Sequence, residues 1–429
     1  MNILELTPAL LPVSLDEFRL KALAWADTFP LAAYYNPNNI SYPYKGFEHF
    51  LAVSSGSPIS FSKTETFEAL REELYSGAGY LCGYVGYDLK NQIEHLQSSN
   101  ANKLNFPDIL FFRPAILINF NNNSVTISSQ TEELARIVAT ILTTATTRAE
   151  KANGIKLQQR VNKEKYKTDV ETIKQHILEG NVYELNYCME FFAEQLQLKP
   201  LPLYLALMQE SPTPFSGYLK FNGNYLICAS PERFLKKEGA KLITQPIKGT
   251  IKRGRSPEED EKLRLQLRHD EKELAENMMI VDLVRNDLSR SCDIGSVKVE
   301  EMFGIYGFRQ VWQMISTVTG NLKPEKDLTD ALIGAFPMGS MTGAPKISAM
   351  QLIEELEITK RGLYSGAFGF ITPDQDCDFN VVIRSLQYNS STGYLSFMVG
   401  SAITYDSIPE KEYEECFLKA KALFTILGN

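Results

Sequence analysis

The order of its apolar runs constrains this chain most. In the second half, strand-like segments at 183–192, 217–221, 226–229, 366–372, 380–386 and 395–404 follow one another largely as hairpin-like pairs. Helical stretches interrupt them at 164–180, 257–289, 344–357 and 409–427. Tyr166, Val170, Ile173 and Ile177 give the first helix an apolar stripe at helical spacing. A doubly wound sheet needs a helix after every parallel strand, and that strict alternation is missing. The pattern predicts an α+β fold with antiparallel sheet.

Residues 1–142 add short apolar segments at 31–35, 79–87 and 109–120, separated by Pro, Asn, Gly and Ser, with a helix over 65–76. The polar, repetitive stretch 143–163 reads as a linker from this N-terminal region into a catalytic region at 164–429. With 429 residues, 44% of them hydrophobic, the chain can fill two or three domain-sized cores or one large two-layered core.

The formal charge of -8, with no long basic run, argues against nucleic acid or an anionic membrane as partner. The six cysteines are scattered without a C-x-x-C pair, as isolated thiols of a reducing compartment would be, and the four histidines make no zinc spacing. No apolar run reaches the roughly 18 residues of a membrane span, and the first residues lack a signal-peptide pattern. A cytoplasmic location is the expectation.

Two motif-like stretches are set aside. Gly339–Lys346 superficially looks like a phosphate loop, but Pro345 stands where a Walker A needs glycine and offers no N–H. The acidic run Asp374–Asp378 has Phe379 where a calcium loop requires glycine, and reads as a solvated hairpin tip. More informative are two carboxylate-bearing helices. In Asp270–Arg290, Asp270, Glu273 and Glu276 recur three apart; in Pro409–Cys416, Glu412 and Glu415 do the same. A solvated acidic face is the ordinary explanation, but the apolar Met278–Val281 after Glu276 argues against simple exposure. Two such helices can together hold Mg²⁺, which needs only one or two carboxylates besides water and substrate oxygens; spacing leaves open whether they meet. Likewise Lys248, in QPIKGTIKRG, reads by itself as a surface charge beside a turn.

Taken together, PIKGT, SPERFL, DEKELAENMMIVDLVRNDL, FPMGSMTGAPKISAMQLIEELE, NVVIRSL and PEKEYEECFLKA resemble the chorismate-utilising enzymes, in order from about residue 164 to 425. Within that family the chain is most similar to component I of the aminodeoxychorismate synthases; GYVGYDL at 83–89 resembles their N-terminal region. The resemblance implies two antiparallel β-sheets packed as a sandwich with helices outside, and a site in the cleft between them. It implies Mg²⁺ on Glu276 and Glu415, with Glu273 and Glu412 behind them. It places Lys346, Tyr364, Arg384, the Gly249–Thr250 turn and the Gly400–Ser401–Ala402 backbone at the substrate, and Glu232 near the departing hydroxyl.

The resemblance also gives Lys248 a role. Relatives making anthranilate or isochorismate generally carry alanine before Gly-Thr, whereas aminodeoxychorismate synthases have a lysine assigned to attack C2 of chorismate while the C4 hydroxyl leaves. Ammonia then adds at C4 and expels the lysine. Such a nucleophile must be a neutral amine, and nearby Lys252 and Arg253, or the metal, are expected to lower its pKa. Gln313 stands where the family commonly has histidine; it cannot serve as a base for aromatising loss of pyruvate, which suits aminodeoxychorismate synthesis and not anthranilate synthesis. Ser401 replaces a glycine of many relatives.

The expected reaction is therefore Mg²⁺-dependent amination of chorismate with ammonia to 4-amino-4-deoxychorismate, on the route to p-aminobenzoate and folate. The alternatives are anthranilate synthase component I and a non-catalytic chorismate-binding homologue. No glutaminase motif is visible in the sequence, so a separate glutamine amidotransferase subunit is the expected ammonia donor.

Overall fold

The computed structural model describes residues 2–61, 64–77, 79–94, 96–130 and 133–429. Two antiparallel sheets organise it. The first runs, in spatial order, through Asn2–Leu6, Val125–Ser129, Ile116–Phe120, Phe50–Ser54, Leu31–Asn36, Phe215–Phe221, Asn224–Ser230, Ser385–Asn389, Tyr394–Ile403, Glu184–Ala193 and Gly343–Ala344. The second runs through Ile247–Lys252, Val311–Asn321, Lys241–Gln245, Arg233–Glu238, Cys377–Val381, Ala367–Ile371, Leu81–Val85 and Ile109–Phe112. Both sheets contain strands from before residue 143 and after 163, so the polar stretch marks a change in sequence character and no break in either sheet.

The strand Leu31–Asn36 shows why the sheets face one another. Leu31, Ala33 and Tyr35 enter the aromatic core between the sheets, while Ala32 and Tyr34 enter the core beneath the helices. Tyr35 stacks on Phe368 of the other sheet at 4.8 Å, and its hydroxyl donates to the Gly369 carbonyl at 2.5 Å. Gly217 lies where any Cβ would collide with the Phe368 ring. Helices including Leu15–Ala26, Lys163–Leu178, Pro200–Glu210 and Pro409–Leu427 cover the outer face of the first sheet; Thr66–Ser76, Glu271–Ser289 and Leu328–Ala335 cover the second. This is the expected sandwich with helices outside.

Two departures from the sequence expectation shape the site. The single helix expected over 257–289 is two, Pro257–Arg268 and Glu271–Ser289, because the Asp270 side chain accepts the Glu273 N–H at 3.1 Å and caps a new helix. The single strand expected over 380–386 is also two. Cys377–Val381 belongs to the second sheet and Ser385–Asn389 to the first, and the chain crosses between them at 382–384. Arg384 sits on that crossing in the left-handed region, φ 52°.

The acidic tip is corrected in part, since Asp378 is buried. Arg233, fully buried, holds it with Nε–Oδ1 and Nη2–Oδ2 both at 2.9 Å, and reaches the Lys45 carbonyl at 2.7 Å. Arg233→Ala would strand the Asp378 charge in the core. The urea midpoint is expected to fall by the equivalent of about 3–5 kcal/mol; a loss under about 1 kcal/mol would place this pair with weak surface pairs.

Candidate active site

Lys248 projects from Ile247–Lys252, an edge strand of the second sheet, toward Glu184 on the first. Its Nζ lies 2.5 Å from Glu184 Oε1, with the two side chains 10% and 1% exposed. Asn277 Nδ2 donates to the Lys248 carbonyl at 3.2 Å, tying the strand to helix Glu271–Ser289. Gly249, at φ 96°, keeps the next position free of a side chain, beside the Glu273 carboxylate; Thr250 points to solvent.

The surroundings reverse one expectation about this lysine. Lys252 is exposed and Arg253 is committed to Asp260 at 2.6 Å, so neither supplies positive charge to Lys248. Burial alone would lower the Lys248 pKa, but Glu184, Glu276 and Glu232 outweigh it and raise it. At rest the residue is an ammonium.

The two carboxylate helices do meet, around Lys272. Its Nζ is 3.5 Å from Glu276 Oε1 and 4.0 Å from Glu412 Oε1, and the charges of Glu273 and Glu415 also act on it. Glu276 and Glu412 are buried, while Glu415 is partly exposed and paired with Lys419 at 2.7 Å. Burial, followed by repulsion from Glu276, pushes Glu273 up to about 7; burial also raises Glu276. Glu276 Oε1 is buried with no hydrogen-bond partner. Among the described residues no three acidic or imidazole groups already stand at metal-ligand geometry. A buried carboxylate oxygen whose only close partner among the described residues is a long 3.5 Å ion pair to Lys272, together with a surplus of negative charge, nevertheless fits a hard dication that takes one or two protein carboxylates and completes its shell with water and substrate.

Glu232, also buried, lies within electrostatic reach of Lys248. Its Oε1 accepts the Ser340 hydroxyl at 2.7 Å, and burial pushes its pKa up to about 7, against the pull of Ser340, the Ile247 N–H and Lys248. A carboxyl tuned near neutrality can donate a proton at physiological pH. It lines a small cavity together with Ser340, Val284 and Asp287.

Arg384 and Gln313 line a second small cavity. Gln313 is buried and its Oε1 has no hydrogen-bond partner. The Arg384 side chain makes no hydrogen bond among the described residues, although Tyr364, Glu415 and Glu232 lie within electrostatic reach. Buried Tyr364 is approached by the Cys188 thiol at 3.8 Å.

Alternation on strand Tyr394–Ile403 separates the Gly400–Ala402 trio. Met398 belongs to the core of the second sheet and Val399 to the helix-covered core of the first, so Gly400 faces inward with Met398. The Ser401 hydroxyl instead meets Tyr166 OH at 2.9 Å beneath the helices, which leaves only its backbone to face the cleft. Lys419 Nζ donates to the Gly400 carbonyl at 3.0 Å.

Lys346 lies apart from the Lys272 carboxylates, on the Asp287 wall of the Glu232 cavity. Its ammonium is buried on Asp287 Oδ2 at 2.7 Å and the Pro337 carbonyl at 2.9 Å. Asp287 lies three turns, roughly 16 Å, along the helix from Glu276. Lys346→Ala is expected to cost about 3–5 kcal/mol of stability by stranding Asp287, with the chorismate KM of the folded fraction changed less than about threefold. A tenfold rise in KM at unchanged stability would put Lys346 on the substrate.

Sequence reasoning passed over Glu184, Lys272 and Lys419. The last two stand at i,i+4 from Glu276 and Glu415 and were open to detection as helical ion pairs. Glu184, in a wholly buried strand, gives no such signal.

Comparison with known proteins identifies the family. A family model described as chorismate binding enzyme matches residues 32–425. Aminodeoxychorismate synthase component 1 of Bacillus subtilis is 36% identical, covering 88% of this chain and 86% of that protein. A probable chloroplastic aminodeoxychorismate synthase of rice is 36% identical over 83% of this chain, which spans only 44% of the rice protein. Anthranilate synthase component 1 of Thermus thermophilus is 35% identical, covering 80% of this chain and 76% of its own length. The solved anthranilate synthase component I of Streptococcus pneumoniae superposes with a TM-score of 0.78 at 27% identity, covering 89% of this chain and 93% of that one. No described helix is long and apolar enough to cross a membrane. With the match running through nearly the whole chain and through both sheets that frame the cleft, the protein belongs to the chorismate binding enzyme family.

Proposed function

We propose that this enzyme aminates chorismate at C4 with ammonia to give 4-amino-4-deoxychorismate. The observation that carries the reading is Lys248, held by Glu184 in a buried cleft where the two sheets meet. The Lys248 amine adds to C2, both ring double bonds shift (C1=C2 to C1=C6 and C5=C6 to C4=C5), and the C4–O bond breaks as Glu232 gives its proton to the departing hydroxyl. Ammonia then forms the C4–N bond, both double bonds return to C1=C2 and C5=C6, and the lysine leaves. Arg384, whose side chain makes no hydrogen bond among the described residues, is a cation available to a substrate carboxylate. Glu276 and Glu415 would hold Mg²⁺, whose Lewis acidity draws electrons through the ring carboxylate. A separate glutamine amidotransferase subunit is proposed as the source of ammonia.

Anthranilate synthesis is the second reading, favoured by the Thermus relative at nearly the same identity. Gln313 opposes it, because an amide offers no base for aromatisation. The test is product identification from chorismate, ammonium and Mg²⁺. The proposal expects p-aminobenzoate only when an aminodeoxychorismate lyase is added; fluorescent anthranilate formed without a lyase would overturn it.

A further inference from the structure

We propose that Glu184 is a positioning residue and proton acceptor for Lys248: it orients the lysine, takes one of its protons to free the amine, and returns the proton when the lysine leaves. The inference rests on the reading of Lys248 as nucleophile.

The resting state poses the problem directly. Lys248 is an ammonium in contact with Glu184 of the first sheet and under the charges of Glu276 on the helix and Glu232 on the connection that enters strand Arg233–Glu238. It has little access to water, so the proton that must leave needs a local acceptor. Glu276 belongs to the carboxylate group around Lys272, and Glu232 must carry a proton for the C4 hydroxyl. Glu184 is the remaining group and the one in direct contact, at 2.5 Å. Its second oxygen, Oε2, is buried with no hydrogen-bond partner. Leaving such an acceptor unsatisfied is costly, and a purely structural ion pair gains nothing from it. A carboxylate that must become a carboxylic acid within each cycle has a use for the spare oxygen.

The backbone beneath Glu184 is tightly fixed. Gly343 and Ala344 pair with Leu185 and Glu184, while Tyr183 N–H donates to the Ala344 carbonyl at 2.7 Å and Asn186 N–H to that of Thr342 at 2.8 Å. Gly343 has φ 150°, and a Cβ there would overlap the Glu184 carbonyl oxygen. The segment that superficially looks like a phosphate loop is thus a bracket for Glu184.

The proton balance closes. The Lys248 ammonium and Glu184 carboxylate become amine and carboxylic acid, and the amine lone pair forms the bond to C2. When ammonia has added at C4, the lysine departs as a neutral amine and recovers its proton from Glu184. The new C4 ammonium reprotonates Glu232, whose first proton left with the hydroxyl as water.

The test uses Glu184→Gln and Glu184→Asp in the full chain, with two readouts. The first is the pH dependence of Lys248 acylation by acetic anhydride in the free enzyme, located by peptide mass spectrometry. The second is kcat and KM for ammonia-dependent amination. Glu184→Gln is expected to move half-maximal acylation to lower pH, because the anion holding the ammonium is gone. It is also expected to lower kcat about 10²-fold, with KM changed less than about threefold and with partial recovery of kcat in Glu184→Asp. An unchanged acylation profile with unchanged kcat overturns the proposal, as does a loss of kcat that follows loss of folded protein in both variants. Acylation is read without turnover, so failure of the Glu184–Lys248 pair is distinguishable from failure of the lysine-adduct reading, which Lys248→Ala tests separately.

Discussion

Lys248→Ala is expected to lower ammonia-dependent formation of 4-amino-4-deoxychorismate by at least ~10³-fold, since it removes the nucleophile and not an accessory group. The same substitution leaves Glu184, Glu232 and Glu276 without their shared cation, so stability falls as well. Lys248→Arg separates the two effects. A guanidinium keeps the positive charge but is not deprotonated in proteins, so it cannot attack carbon. The arginine variant should unfold within about 1 kcal/mol of wild type, as a substitution that keeps the charge pairing, and still be inactive. Coupled assay with the lyase, alongside urea denaturation, reads both. Activity within tenfold of wild type in either variant would remove Lys248 from the chemistry.

Glu232→Gln is expected to lower kcat by about 10²–10⁴-fold, the usual contribution of a positioned general acid. Its pH dependence carries the sharper signature. The folded-state pKa of Glu232 is raised to about 7 from an ordinary value of 4.5. As a proton donor it must be protonated, so wild-type activity should fall as pH rises through about 7, and the residual activity of the glutamine variant should lack that limb. Wild-type stability falls over the same pH range. A raised carboxyl pKa stabilises the fold fully below pH 4.5, and that stability is lost as pH rises through about 7. Across this window the wild type should lose roughly 3 kcal/mol relative to the neutral, isosteric variant. A less active variant that is more stable at pH 8 than at pH 4, relative to wild type, is the expected pair of results. Equal pH profiles for the two proteins would assign the acid role elsewhere.

Much of the architecture was legible because periodicity reports burial. The helices at 163–178, 346–356 and 409–427 lie where their apolar spacing put them, and the strand at 394–403 does too. Periodicity failed where a local interaction interrupted it. The Asp270 cap divides one expected helix, and the crossing at 382–384 divides one expected strand, since an apolar run does not reveal which sheet each half joins. The strands between 233 and 321, which build one end of the second sheet, also escaped, because several carry charged residues on the faces that leave the core. Within the site, residues carried by ordered motifs were identified by type and position, but their orientation was not. Ser401 turns its side chain out of the cleft and Lys346 is buried on Asp287, because strand register and a distant helix decide where each polar end is satisfied.

The sequence by itself determined the fold class, the family and the chemical inventory: a lysine before Gly-Thr, carboxylates three apart on two helices, and glutamine at position 313. Only the tertiary structure decided how those charges act on one another. Electrostatic interactions depend on distance and burial, not on separation along the chain. Lys248 and Glu184 are 64 residues apart in sequence and 2.5 Å apart in space. That contact makes the lysine an ammonium at rest, where its sequence neighbours Lys252 and Arg253 suggested the opposite.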